Sequence, residues 1–314
     1  GKKFSFDEES LALYDAVAPH HEPQHFEKIL TQLDELLPGD GSLGERRNEF
    51  RELFIIPPDR LDDVFQAAIT ECRKRTLPRI ALPKGEGFTV EYVVDKPWSA
   101  YNWFQGDSQS LIEVNTDLPI YIDRAIDLAC HEGYPGHHVY NLLLEQELYK
   151  KRGWVEFSIF VLYGPQALIA EGSANYGIDM TFPGEERTTF EKRVLFPLAG
   201  LDPELAERYY KVEELVKKLK FSTNEAARDY LDGKIDAKAA IEYLMKYNLM
   251  TRKRAERYMR FIDTYRSYVI SYNLGQKIVG EWIESTDGRG TSLDERWDRF
   301  TKLLSEPYIP SDLR

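Results

Sequence analysis

At 314 residues with 42% hydrophobic side chains, the chain carries enough apolar material for a large core, as one elongated helical domain or as two lobes. Its 53 acidic against 41 basic residues give a net charge of −12, which argues against nucleic acid or an anionic membrane as a partner. Only Cys72 and Cys130 are present, so a disulfide framework is not expected and a reducing, cytoplasmic setting is.

In chain order, apolar residues recur at helical spacing over Asp7 to Val17, Gln24 to Leu37, Ser42 to Leu53 and Asp59 to Arg75. Joints such as Pro38-Gly39-Asp40-Gly41 and Pro57-Pro58 separate them. This predicts a helical front end over residues 1–87. His20, His21 and His25 fall in its first joint and the following helix start, where loop and cap roles are expected rather than metal binding. Residues 88–314 form the second region. Phe88 to Val94 and Ser110 to Thr116 alternate apolar and polar side chains, the pattern of strands in a small antiparallel sheet. Trp98 to Gly106 lies between them and is rich in aromatics. It reads either as a hydrophobic loop pinned to the core or as an edge strand that pairs with an extended peptide.

A helix over Leu118 to Cys130 leads into the densest chemistry of the chain. Three of the six histidines occur within eight residues, His131-Glu132-Gly133-Tyr134-Pro135-Gly136-His137-His138. Imidazoles are good zinc ligands, and a neighbouring glutamate that does not bind the ion can take a proton from the water the metal activates. The spacing departs from the usual His-Glu-x-x-His helix, because position i+4 is Pro135 and His137 lies at i+6. On a straight helix that is about 9 Å of axial separation, too far for bonds of about 2 Å to one ion. Pro135-Gly136 supplies a local break, since proline pushes Tyr134 off helical dihedrals and glycine permits unusual ones. A two-residue bulge brings His137 to the metal beside His131, and a three-residue bulge brings His138 instead. The competing structural reading has His137 and His138 punctuating a turn and His131 satisfied in the core.

The run Phe157 to Ala170 is too short and too interrupted, at Gly164-Pro165, to span a bilayer, so it reads as buried core. The helix after Pro165 carries Ala170-Glu171-Gly172-Ser173-Ala174-Asn175-Tyr176, with Glu171 placed 34 residues after His137. Glu171 is the candidate third ligand. Gly172 and Ala174 allow a second helix close, and Asn175 at i+4 faces the same way and is expected to accept a ring N–H of a ligand histidine. Residues 185–284 read as strongly helical. Their segment Tyr265 to Gly275 offers donors for a developing oxyanion, Tyr272 first, then Tyr268 and Arg266. Arg252, Arg257, Arg260 and Arg266 are candidates for clamping a terminal carboxylate, against the ordinary reading that they are solvated or ion-paired.

The order of these motifs, HEGYPGHH, EGSANY, Ala239 to Leu244, Glu256-Arg257-Tyr258 and Ser271 to Gly275, resembles a large prokaryotic family catalogued as a domain of unknown function. That family is similar in its motifs to the gluzincin clan of zinc peptidases, and the likeness covers roughly residues 88–279. Its Gly-His-x-x-Tyr run, matched by Gly136-His137-His138-Val139-Tyr140, favours His137 as the second ligand. Two departures are Ser173, where the family usually has tryptophan, and Tyr265 to Tyr268, where it has a Pro-Gly-Gln run. Much of the family is longer at its N-terminus, and the opening Gly1-Lys2-Lys3 lacks an initiator methionine, which together suggest a shortened member.

The expectation is a mainly α (α+β), helical gluzincin-like zinc metallopeptidase acting on peptides or small amides. His131, His137 and Glu171 bind zinc, Glu132 is general base and acid, and Tyr272 steadies the oxyanion. Two alternatives stand: a metal-stabilised helical binding protein without catalysis, and a zinc hydrolase of non-peptide amides or esters.

Overall fold

The computed structural model describes residues 3–96, 98–285 and 291–314. Helices dominate, and one small sheet interrupts them. The front end is α1 (Phe6–Tyr14), α2 (Pro23–Leu36), α3 (Leu43–Glu52) and α4 (Leu61–Thr76). Capping boxes at Ser5 and Ser42 start α1 and α3, each serine accepting from a backbone N–H three residues on while the glutamate there reaches back. Strands β1 (Gly87–Val93), β2 (Ala100–Gly106) and β3 (Gln109–Asn115) follow, then α5 (Asp123–Leu128), α6 (His137–Leu144) and α7 (Pro165–Thr181). The rest is helical: α8 (Glu186–Phe190), α9 (Phe196–Ala199), α10 (Ala206–Lys218), α11 (Ser222–Leu231), α12 (Ala237–Tyr247), α13 (Arg252–Tyr265), α14 (Ile270–Glu284) and α15 (Leu293–Ser305).

The sheet is mixed, not antiparallel. Its order is β1-β3-β2, with β1 parallel and β2 antiparallel to β3. The aromatic segment accounts for the difference: it is itself a strand, and it reverses the chain between the two strands that alternation reveals. β2 and β3 form a hairpin about Asp107-Ser108, both at positive φ as a two-residue primed turn requires. β3 is therefore central, with Ser110, Ile112 and Val114 buried, and β2 forms an edge.

One principal core draws on both regions of the chain, from Phe6 of α1 through Phe65 of α4 and Leu168 of α7 to Leu313. A smaller core joins Phe26, Ile29 and Leu33 of α2 to Val212 and Leu219 in and after α10. α7 is buried nearly all round, and it meets α14 where Gly172 faces Gly275. A Cβ on Gly172 would lie 2.4 Å from the Gly275 carbonyl carbon, so only glycine permits this approach. The crossing carries Glu171 to the tyrosines at the start of α14. Cys72 and Cys130 are free, buried thiols with sulfurs 3.1 Å apart, packing α4 against the segment that carries His131. Among the described residues no helix is long and apolar enough to cross a membrane.

Candidate metal centre

α5 begins at Asp123, later than Leu118, and continues into a wide π-helical turn over Ala129–Gly133. There the helix stops. Tyr134 is extended (φ −112°, ψ 114°), its bond to Pro135 is cis, and α6 starts afresh at His137. The expected bulge is thus a complete break between two helices. A bulge keeps the axis and shifts a register, whereas this break lets the final turn of one helix and the first turn of the next face a common point. Gly136 makes it feasible: its N–H donates to the Cys130 carbonyl at 2.9 Å, and a Cβ there would sit 1.9 Å from the His131 carbonyl oxygen. Pro135 packs on α7 at Gly177, where a Cβ would lie 3.0 Å from the proline ring.

Across the break, His131 Nε2 and His137 Nε2 stand 3.1 Å apart. Glu171 Oε2 lies 3.3 Å from the first and 3.8 Å from the second. Among the described residues these three form the one set of His, Cys, Asp or Glu side chains whose ligand atoms converge this closely. Corners of a tetrahedron on metal–ligand bonds of about 2.0–2.1 Å are about 3.4 Å apart, so the three edges suit one zinc ion. The carboxylate supplies a second sign. Glu171 Oε1 accepts from Tyr268 Oη at 2.8 Å, but buried Oε2 has no hydrogen-bond partner and points at the two imidazoles. A cation satisfies such an oxygen.

Burial opposes charge on both Glu171 and His137, yet each wins back more from the other. The facing imidazoles of His131 and His137 carry the Glu171 carboxyl well below its usual range, and Glu171 with Glu132 raises His137. The cluster favours positive charge at its centre.

Glu132 is buried, yet its carboxylate faces the cleft with Oε1 3.9 Å from His131 Nε2, while its main-chain carbonyl accepts from Asn102 of β2 at 2.8 Å. That bond ties the edge strand to the metal segment. Tyr268 and Tyr272 stand on the far wall, their rings 5.8 Å apart and perpendicular. Burial and nearby Glu171 push the Tyr272 hydroxyl well above its ordinary pKa, so it stays protonated.

His138 turns away from this point. Fully buried, it bonds Ser110 Oγ at 2.8 Å through Nδ1 and Glu86 at 3.1 Å through Nε2. Sequence reasoning missed Glu86. It also accepts from Tyr134 Oη at 2.6 Å and Arg73 at 2.5 Å, so it anchors the broken segment from behind. Burial alone would raise its pKa, but these donors hold it at about 2. A glutamate in the Pro83–Gly87 turn leaves no local pattern that marks it as a partner of residues about fifty positions away.

One side-chain expectation is corrected, and the ordinary reading of the arginines as ion-paired holds for two of them. Asn175 does not meet a ligand histidine; its amide donates to the Tyr272 carbonyl at 3.3 Å, because α14 lies closer to it than α6 does. Arg266 pairs with Glu9 and Arg252 with Glu242, so neither is free to clamp a substrate. Arg257 is occupied with the carbonyl of Trp98 at 3.1 Å, holding the entry to β2, and Arg260 remains on the cleft wall.

No protein-family model and no curated protein matches the chain. Among solved structures it is similar to one described as a "putative lipoprotein" from Colwellia psychrerythraea, with a TM-score of 0.69 and 16% identity. The match covers 98% of this chain and 53% of that one. This chain therefore spans about half the length of that neighbour, and at such identity the likeness concerns the fold alone.

Proposed function

We propose that the protein is a zinc-dependent peptidase resembling the gluzincin clan, with His131, His137 and Glu171 as the metal's protein ligands. The observation that carries this reading is the convergence of two imidazole nitrogens with an unpartnered buried carboxylate oxygen, beside a second carboxylate that remains free. A zinc ion held there supplies a Lewis acid that brings water within reach of deprotonation near neutral pH. Glu132 takes that proton and returns it to the leaving amine. Tyr272 donates to the developing oxyanion, whereas the Tyr268 proton is committed to Glu171. The outer edge of β2 lines the cleft and suits an extended peptide, whose backbone can continue the sheet. Free, buried Cys72 and Cys130 favour a reducing compartment.

Glu132→Gln separates the roles. Turnover of a peptide library is expected to fall by about three orders of magnitude or more, with metal content still near one zinc per chain by elemental analysis. Peptidase activity that survives this change would end the proposal.

A further inference from the structure

The two helices that meet at the metal centre give the cleft two chemically different ends. α5 approaches the centre through Arg124, Asp127 and Leu128, and α6 leaves it through Asn141 and Leu144 toward Tyr149. Beyond α6 the wall is apolar: Phe157, Ile159 and Phe160 line it, the last two exposed. On the α5 side it is basic. Across the whole lining, basic side chains outnumber acidic ones, although the chain carries net charge −12.

Most of these cations are paired, Arg124 with Asp127 at 3.1 Å, Arg51 with Asp123 at 3.3 Å and Lys217 with Asp179 at 3.6 Å. Lys220 and Arg254 are among those that are not: among the described residues no carboxylate lies within ion-pair reach of either side chain. The Arg254 guanidinium lies 5.4 Å from the Tyr121 ring, which also carries Arg51 at 3.8 Å. The Lys220 side chain reaches solvent beside Asp127, Lys217 and Arg124. Burial and the neighbouring arginines 51, 47 and 124 lower the Arg254 pKa. Two cations without ion-pair partners on the wall of one cleft form a place for an anion. The Lys220 main-chain carbonyl accepts from Asn273 of α14 at 3.1 Å, which ties this wall of the cleft to the helix that carries Tyr272.

Strand direction decides which end of a peptide reaches them. β2 runs from the Trp98 side, held by Arg257 of α13, past Asn102 at the metal segment to Gly106, after which Asp107 N–H donates to Glu145, the residue that follows α6. A peptide added antiparallel, the more stable pairing, starts at the apolar end and finishes at the basic one. Arg124 precedes His131 by seven residues, about 10 Å of helix, so a terminus there lies about two or three residues past the cleaved bond. Resting on the peptidase reading above, we propose that Lys220 and Arg254 bind the C-terminal carboxylate of a peptide whose residues before the cut are apolar, so that short C-terminal fragments are released.

The test is binding to zinc-loaded Glu132→Gln protein, followed by fluorescence anisotropy of dansyl-labelled Leu-Phe-Ala-Ala as free acid and as amide, and of an amidated peptide ending in glutamate. The free acid is expected to bind at least tenfold more tightly than the amide. Lys220→Met and Arg254→Gln, each made in that background, should cut the ratio below threefold. Equal affinity for acid and amide, or a ratio that survives both substitutions, overturns the proposal, as does a glutamate amide that binds as tightly as the free acid. Wild-type turnover without acid preference defeats the carboxylate site and leaves the peptidase. Acid preference in binding without turnover defeats the peptidase and leaves the carboxylate site.

Discussion

The helical front end and the region that follows it each carry three histidines close together, and among the described residues only the second trio brings ligand atoms to one point. In the front end, His20 contacts Asp7 at 3.1 Å on the surface, while His21 and His25 stack with centroids 4.4 Å apart. Burial and its neighbour His25 lower the His21 pKa, and no third ligand atom converges there among the described residues. At residues 131–138 the same residue type is sorted by a backbone break, two rings toward Glu171 and one away from it toward Glu86. Histidine density is therefore a poor guide to metal binding. A chain reversal that aims nitrogens at one point, with a carboxylate oxygen left unsatisfied there, is the better one.

The contrast can be broken most severely at the reversal. In Gly136→Ala the new methyl group overlaps the His131 carbonyl, so zinc content should fall to near zero and stability by roughly 3 kcal/mol or more, read by elemental analysis and denaturant unfolding. Next comes ligand removal. His131→Ala should lose zinc, whereas combined His20→Ala, His21→Ala and His25→Ala should retain about one ion per chain.

A smaller effect lies behind the site. The Glu86 pKa is held at about 2, below its ordinary value of 4.5, so its stabilisation is complete above about pH 4.5 and fades as pH falls toward 2. Because Arg73 is 45% exposed and screened, we expect roughly 2 kcal/mol. Glu86→Gln should flatten that limb of the stability profile, and an unchanged acid transition would contradict the role. The smallest effect is at the surface: His20→Ala should change stability by less than about 0.5 kcal/mol in the same unfolding assay.

Much of the site was legible because its elements are local. His131 and Glu132 are adjacent, Pro135-Gly136 announces a break, and Gly172 announces a close helix contact that the structure places at Gly275. The mixed sheet was not legible, since alternation marks a strand without naming its neighbour, and β2 lacks the clean alternation of the other two. Asn175 misled for a related reason: i+4 spacing gives a shared helix face, but α14 rather than α6 covers that part of it.

By itself, the sequence determined the helical character, the candidate ligands and the point where the metal segment must break, because periodicity, side-chain chemistry and backbone freedom act over a few residues. Tertiary structure alone decided that His137 rather than His138 faces Glu171, that Glu86 braces the segment, and that Lys220 and Arg254 stand unpaired in one cleft. Those outcomes depend on distances between residues remote in the chain, and such distances are set only when the helices pack.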